Sequence, residues 1–264
     1  MRTLITGSRG TVGSALRAVL ESRGDEVIGW DRSVAPPHDV PACAAYLDAV
    51  KPEAVVHLAV ASSGTGIENE GRIVSVDWSE RLASYCAAAR IPLVFTSTVM
   101  VFSDDATGPF TIESEPDATE GYGGEKAEAE RKVLAANPEA VVARLGWQIG
   151  EAPGSNHMID FLTNAMKKDG VVKASRKWKP ATSFLADTAG ALAWLRDEAA
   201  AGRFRGVAMV DGNRAGVSFY DLVRALSAKH GGAFTVEADD SFVYDQRMLD
   251  ERVLVGQVGE RLGL

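Results

Sequence analysis

Three glycines near the start of the chain constrain its fold more than any other feature. Gly7, Gly10 and Gly13 are spaced G-x-x-G-x-x-G, between an apolar run at 3–6 and a stretch from 12 to 23. In that stretch Val12, Ala15, Leu16, Val19 and Leu20 recur at i, i+3, i+4, i+7 and i+8, the period of a helix with one buried face. The glycines therefore join a strand to a helix. In that context Gly7 makes the tight turn, Gly10 lets the backbone approach a pyrophosphate, and Gly13 lets helix and strand pack closely. The N–H groups of the first turn, from Thr11 and Val12 onward, then point at the anion. Outside that context the same triplet is only a tight turn.

The rest of the chain repeats the alternation. Strand candidates fall at 3–6, 26–30, 54–58, 93–97, 140–145 and 207–210, and helix candidates at 12–23, 42–50, 72–89, 123–136, 158–168, 187–199 and 218–229. Strands alternating with helices predict an α/β fold, a Rossmann-type doubly wound parallel sheet. Two regions break the pattern: 104–119, and 151–180 together with the tail after 234. The expected organisation is a dinucleotide-binding domain over 1–150 with 182–215 returning to it. A small C-terminal substrate lobe would comprise 151–181 and 216–264, over the carboxyl ends of the strands.

Asp31 ends the second strand candidate, where an acidic residue meets the adenosine ribose hydroxyls of NAD. Arg9 and Arg32 pull the other way, because guanidinium groups there suit the 2′-phosphate of NADP. The cofactor is thus NAD or NADP, with Asp31 leaning the choice to NAD.

Tyr122 and Lys126 are four residues apart, so on a helix they share a face. An unperturbed phenol titrates near ~10, and a neighbouring ammonium is expected to lower that value. A tuned tyrosine serves as a general acid or base. The competing reading is an ordinary charged helix face built from Glu125, Glu128, Glu130, Arg131 and Lys132. The run from Phe95 to Phe102 decides between them, because it ends a buried-type strand in the hydroxyls of Thr96, Ser97 and Thr98 before the tyrosine. A hydroxyl at that strand end can hold the reacting oxygen of a substrate beside the phenol.

A formal net charge of −8 excludes tracking of a nucleic-acid backbone, and no apolar stretch approaches the ~18 residues of a membrane span. Cys43 and Cys86 lie in Ala-rich stretches and read as core residues of a cytoplasmic protein. His38, His57, His157 and His230 lack metal-ligand spacing and read as structural or surface residues, so no metal is expected.

These motifs resemble the extended short-chain dehydrogenase/reductases, and more closely the dTDP-4-dehydrorhamnose reductase-like branch within the NAD-dependent epimerase-dehydratases. Residues 97–102 look like that branch's S-T-D-Y-V-F strand, 144–150 like its R-T-S-W-V-Y-G element, 180–182 like its A-P-T turn and 247–250 like its R-P-x-x-S/D stretch. The resemblance implies Thr98, Tyr122 and Lys126 as catalytic residues, with Lys126 also on the nicotinamide ribose. It places Leu58 and Ala59 with the cofactor, and Thr98, Val99, Met100, Trp147, Asn156 and Arg247 with the substrate. Val99 and Met100 replace the branch's Asp-Tyr pair, Ser75 stands where an Asn is usual, and Ile149 replaces a tyrosine. The implied activity is NAD(P)-dependent reduction of a keto group on a sugar nucleotide or similar polar carbonyl compound. An epimerase or dehydratase retaining NAD, or a non-catalytic dinucleotide-binding regulatory subunit, are the alternatives. The expected partner is a small-molecule substrate, with a homodimer left open.

Overall fold

The computed structural model describes residues 1–61 and 67–264. β1 (Arg2–Thr6) leads into α1 (Thr11–Ser22), followed by β2 (Glu26–Gly29), α2 (Val40–Val50) and β3 (Ala54–His57). A short helix α3 (Glu70–Arg72) and a π-helical turn (Ile73–Asp77) run into α4 (Trp78–Ala89) and β4 (Leu93–Thr98). A 3-10 turn (Val99–Val101), α5 (Gly121–Ala136) and β5 (Val141–Leu145) come next. Then follow β6 (Trp147–Ile149), α6 (Met158–Asp169), β7 (Val172–Ala174), β8 (Trp178–Lys179), β9 (Thr182–Phe184), α7 (Leu185–Ala200) and β10 (Gly206–Val210). The chain finishes with α8 (Phe219–Lys229), β11 (Val236–Ala238), β12 (Tyr244–Asp245) and α9 (Val258–Leu262).

The main sheet has six strands in the order β10-β5-β4-β3-β1-β2. β1 pairs in parallel with β2 and β3, and β3 with β4. All residues of β3 and β4 are buried, which is why these strands read as unbroken runs in place of an alternation. The chain steps from β1 to β2 on one side and then crosses to β3 on the other. The strand order reverses there, and a doubly wound sheet binds its ligand at the carboxyl ends around such a reversal. The expected Rossmann-type α/β class is the observed one.

By contacts the chain divides into a first unit of 1–103, 116–144 and 189–208 and a second of 104–115, 145–188 and 209–264. The first has a core of Leu4, Val55, Leu93, Phe95 and Val142 from the strands, packed with Leu47, Val76, Trp78, Leu82 and Val133 from the helical segments. The second has its own core, in which Ile149 and Phe184 pack with Met158, Leu162, Phe219, Leu222 and Leu226. Among the described residues no helix is long and apolar enough to cross a membrane.

The expected helix at 72–89 is interrupted by the π turn, where Val74, Ser75 and Val76 are buried in succession. The π turn departs from the regular 3.6-residue repeat on which the expected helix rests, so the periodicity of a single helix does not run through it. In the second unit, strands of two or three residues were too short to display a period of two.

Candidate functional site

The loop after β1 is closed by backbone contacts. Gly7 has φ +69°, and a Cβ on Gly13 would stand 2.1 Å from the Gly7 carbonyl oxygen, so any larger residue at Gly13 opens the turn. Gly10 N donates to Gly7 O, and Gly10 is the N-cap of α1 with no side-chain cap. No side chain caps this end of α1, so the helix start faces the loop with its backbone, and a helix N-terminus of this kind suits an anion such as a pyrophosphate. Arg9 and Gly10 are exposed at this mouth, and Gly13 is buried beneath it.

Asp31 follows β2. Its carboxylate accepts from the hydroxyl and amide of Ser33 at 2.6 and 2.9 Å, and those bonds, with Arg9 nearby, hold its pKa below the usual range. Arg32 donates to the Val60 carbonyl at 3.3 Å, with its guanidinium 5.8 Å from the Trp78 ring. The acid and both arginines thus occupy the end of β2 and the glycine loop, as a ribose or 2′-phosphate subsite needs.

At the end of β3, Leu58 and Ala59 are fixed by a directed network that the sequence did not disclose. The Ser79 hydroxyl donates to the Ser75 carbonyl at 2.8 Å, so Ser79 Oγ accepts from His57 Nε2 at 2.9 Å. His57 Nδ1 is then the acceptor for the Thr6 hydroxyl at 2.6 Å, and Thr6 Oγ1 accepts from the amides of Leu58 and Ala59 at 3.0 and 3.1 Å. Burial, with the charges of Lys126 and Arg32, holds the imidazole pKa well below its ordinary value and keeps the ring neutral. His57 is a buried brace between β1 and β3. Its motif context gave no sign of this, because Thr6, Ser75 and Ser79 lie far from it in sequence.

Thr98 ends β4, where its Oγ1 accepts from Met100 N at 3.2 Å. A Cβ on Gly123 would lie 2.0 Å from the Met100 carbonyl oxygen, so glycine there lets the start of α5 sit against this turn. Tyr122 is 41 % exposed and Lys126 only 1 %, with Val99 buried and Met100 exposed beside them. Lys126 Nζ donates to the Thr96 carbonyl at 2.9 Å and lies 4.6 Å from the Phe95 ring and 5.9 Å from the Tyr122 ring. Burial pulls the ammonium pKa down to about 8, opposed by Glu130 and Glu125.

The phenol departs from expectation. Local burial, with the negative charge of Glu125, pushes the Tyr122 pKa up to about 12, whereas the neighbouring ammonium was expected to lower it. Desolvation disfavours the charged phenolate, and Glu125 acts in the same direction. A phenol so placed is protonated at neutral pH and suited to give up a proton to a forming alkoxide.

Glu130 also differs from its sequence reading as part of a charged face. It is 3 % exposed and lies on the buried stripe of α5 with Lys126, Ala127 and Val133. Arg144 of β5, itself buried, grips it through Nε at 3.0 Å and a terminal nitrogen at 2.8 Å. The i, i+4 spacing of Lys126 and Glu130 was the available signal, and it was masked by the charged residues around it.

The remaining expected residues lie in the second unit. Trp147 stacks on Trp178 and Phe219, with ring centroids 6.2 and 5.9 Å apart. Asn156 is exposed in the loop before α6. Arg247 is committed within the unit: it grips Asp245 through two nitrogens, both at 2.7 Å, and donates to the Arg214 carbonyl at 2.8 Å. Sequence reasoning also missed Asp211, which is fully buried and accepts from the amides of Thr182, Asn213 and Met248. Among the described residues no His, Cys, Asp or Glu cluster could hold a metal ion.

Comparison with known proteins places these features in context. Residues 1–225 match the RmlD substrate binding domain family. The probable low-salt glycan biosynthesis reductase Agl14 of Haloferax volcanii is 26 % identical over 174 residues, 61 % of this chain and 58 % of that protein. Methionine adenosyltransferase 2 subunit beta of Xenopus tropicalis is 30 % identical over 154 residues, 54 % of this chain and 46 % of that one. This chain thus spans about half of those two relatives. The dTDP-4-dehydrorhamnose reductase of Mycobacterium tuberculosis is 29 % identical over 247 residues, 87 % of this chain and 76 % of that one. Among solved structures, dTDP-4-dehydrorhamnose reductase of Bacillus anthracis in complex with NADP superposes with TM-score 0.80 at 16 % identity, over 99 % of this chain and 96 % of that one. Bordetella bronchiseptica WbmG in complex with NAD gives 0.75 at 23 %, over 96 % and 86 %.

Proposed function

The chain belongs to the RmlD substrate binding domain family, and from that premise we propose that it is an NAD(P)-dependent oxidoreductase. It reduces a keto group on a sugar nucleotide or similar polar carbonyl compound. The observation that carries the proposal is the buried, sparsely bonded ammonium of Lys126 beside a protonated Tyr122, on a helix that starts against the end of β4. Gly7 to Gly13, Asp31, Arg32, Leu58 and Ala59 hold the dinucleotide, which supplies the hydride. Tyr122 donates the proton to the carbonyl oxygen, Thr98 orients that oxygen by hydrogen bond, and Lys126 supports the phenol and the nicotinamide ribose. Val99 and Met100 give the substrate an apolar wall. Residues 1–150 and 182–215 serve the cofactor, and 151–181 and 216–264, with Trp147 and Asn156, serve the substrate. Arg247 braces that lobe through Asp245. The protein works in the cytoplasm, as a homodimer.

Mixing the protein with NADH or NADPH and a panel of keto-sugar nucleotides, and following the nicotinamide absorbance, tests the reading. Consumption of reduced cofactor that depends on both protein and keto sugar is expected. Reduced cofactor that binds but is never consumed on any of them overturns it in favour of a second reading, a dinucleotide-binding subunit without turnover. The likeness to a protein named as a subunit of methionine adenosyltransferase favours that second reading. Asp31 leans the cofactor to NAD.

A further inference from the structure

We infer that the buried Glu130–Arg144 pair is a positioning device for Lys126: it supports the ammonium electrostatically while keeping the carboxylate from capturing it. This deepens the reading of Lys126 given above and rests on it. Lys126 and Glu130 stand one turn apart on the same face of α5, a spacing at which lysine and glutamate ordinarily pair. Both are buried, and a buried ammonium attracts a buried carboxylate strongly. Yet among the described residues Lys126 makes one hydrogen bond, to the Thr96 carbonyl, and Glu130 is taken side-on by Arg144. The Arg144 guanidinium also lies over the Phe102 ring, 5.1 Å from its centroid. The carboxylate is therefore anchored to β5, close enough to favour the charged form of Lys126 and prevented from swinging onto it. The ammonium keeps donors for other partners. Among the described residues the titratable groups that also act on it or lie beside it include Tyr122 and Glu125 on α5 and His57 on β3, while β4 contributes Phe95 and Thr96, which do not titrate.

The test reads Lys126 directly. The full chain is labelled with [13Cε]lysine, the Lys126 signal is assigned by its loss in Lys126→Met, and its titration midpoint is measured. Glu130→Met combined with Arg144→Met removes the pair without leaving a lone buried charge. The midpoint is expected to fall by about one pH unit, the scale on which a nearby opposite charge acts. Arg144→Met alone releases Glu130 onto Lys126, and the midpoint is expected to rise above that of the parent. An unchanged midpoint in the double variant overturns the inference, as does a single variant that falls. Should the double variant not fold, Glu130→Gln, which keeps the shape and an acceptor for Arg144 but leaves the guanidinium charge uncompensated, must show a fall at least as large. A purely structural pair would change melting temperature and leave the midpoint alone. The alkaline limb of turnover is expected to move with the midpoint. If the midpoint moves and the limb stays, the pair acts on Lys126 as inferred, and what fails is the assignment of Lys126 to turnover.

Discussion

Lys126 in the first unit and Asp211 in the second are both fully buried charges, and their surroundings treat them in opposite ways. Burial pulls the lysine down to about 8 and pushes the aspartate up to about 7, so each is drawn toward its neutral form. Asp211 spends both oxygens on backbone: Oδ1 accepts from Thr182 N at 3.0 Å and Asn213 N at 2.8 Å, and Oδ2 from Met248 N at 2.8 Å. It fastens three separate stretches of chain and has little left for a ligand. Among the described residues Lys126 gives one bond, to the Thr96 carbonyl. A buried polar group whose bonds are filled by the fold is architecture, and one with donors to spare is available for chemistry.

That contrast breaks most visibly at Tyr122, the group beside the under-used ammonium. Tyr122→Phe removes one hydroxyl and keeps the ring, so folding and dinucleotide Kd should hardly change while kcat falls ~100- to 10,000-fold. Stopped-flow turnover alongside cofactor titration checks this. A variant with near-normal kcat would leave the helix start as ordinary surface.

Asp211→Asn attacks the filled site. The amide cannot accept from all three N–H groups, so at least one buried donor loses its partner, at about 2–3 kcal/mol. The pH dependence has a definite sign. Because the folded carboxyl titrates near 7 and an ordinary one near 3.8, the folded chain holds the extra proton between them, and this group's contribution to stability declines as pH rises through that window. Urea unfolding at pH 5 and pH 8 should therefore show a larger gap between parent and variant at pH 5. An equal gap at both would mean that Asp211 stays ionised throughout.

Lys126→Met sharpens the comparison from the other side, with a smaller effect. The unfolded lysine keeps its proton to about 10.5 and the folded one releases it near 8, so stability from this group rises with pH across that interval. Below pH 8 the buried ammonium opposes folding, and the variant should be more stable at pH 7 by about 1–2 kcal/mol, after the lost bond to Thr96 is offset. The gain should fade by pH 10.5, and turnover should be lost. A variant less stable than the parent at pH 7 would place Lys126 with Asp211 among the structural charges.

The parts legible in the sequence were those written within a single junction or one helical turn. Gly7, Gly10 and Gly13 mark a strand–loop–helix join because each acts on backbone only a few residues away. Tyr122 and Lys126 share a face because the helical repeat puts them there. The βα alternation was legible because buried parallel strands run apolar without interruption. The second unit resisted, since its strands are too short for a period and it is secured by Asp211 and by the Asp245–Arg247 grip. Nothing in the spelling of residues 211, 245 or 247 distinguishes a clamp from a loop charge.

The sequence by itself determined the sheet-and-helix alternation, the glycine turn and the face shared by Tyr122 and Lys126, because local sterics and helical periodicity act between near neighbours. Only the tertiary structure decided that Glu130 goes to Arg144, that His57 braces Thr6 against Ser79, and that the phenol of Tyr122 is raised. Those outcomes depend on which distant residues meet and on how much water they exclude. Desolvation and long-range pairing exist only once the chain has closed around them.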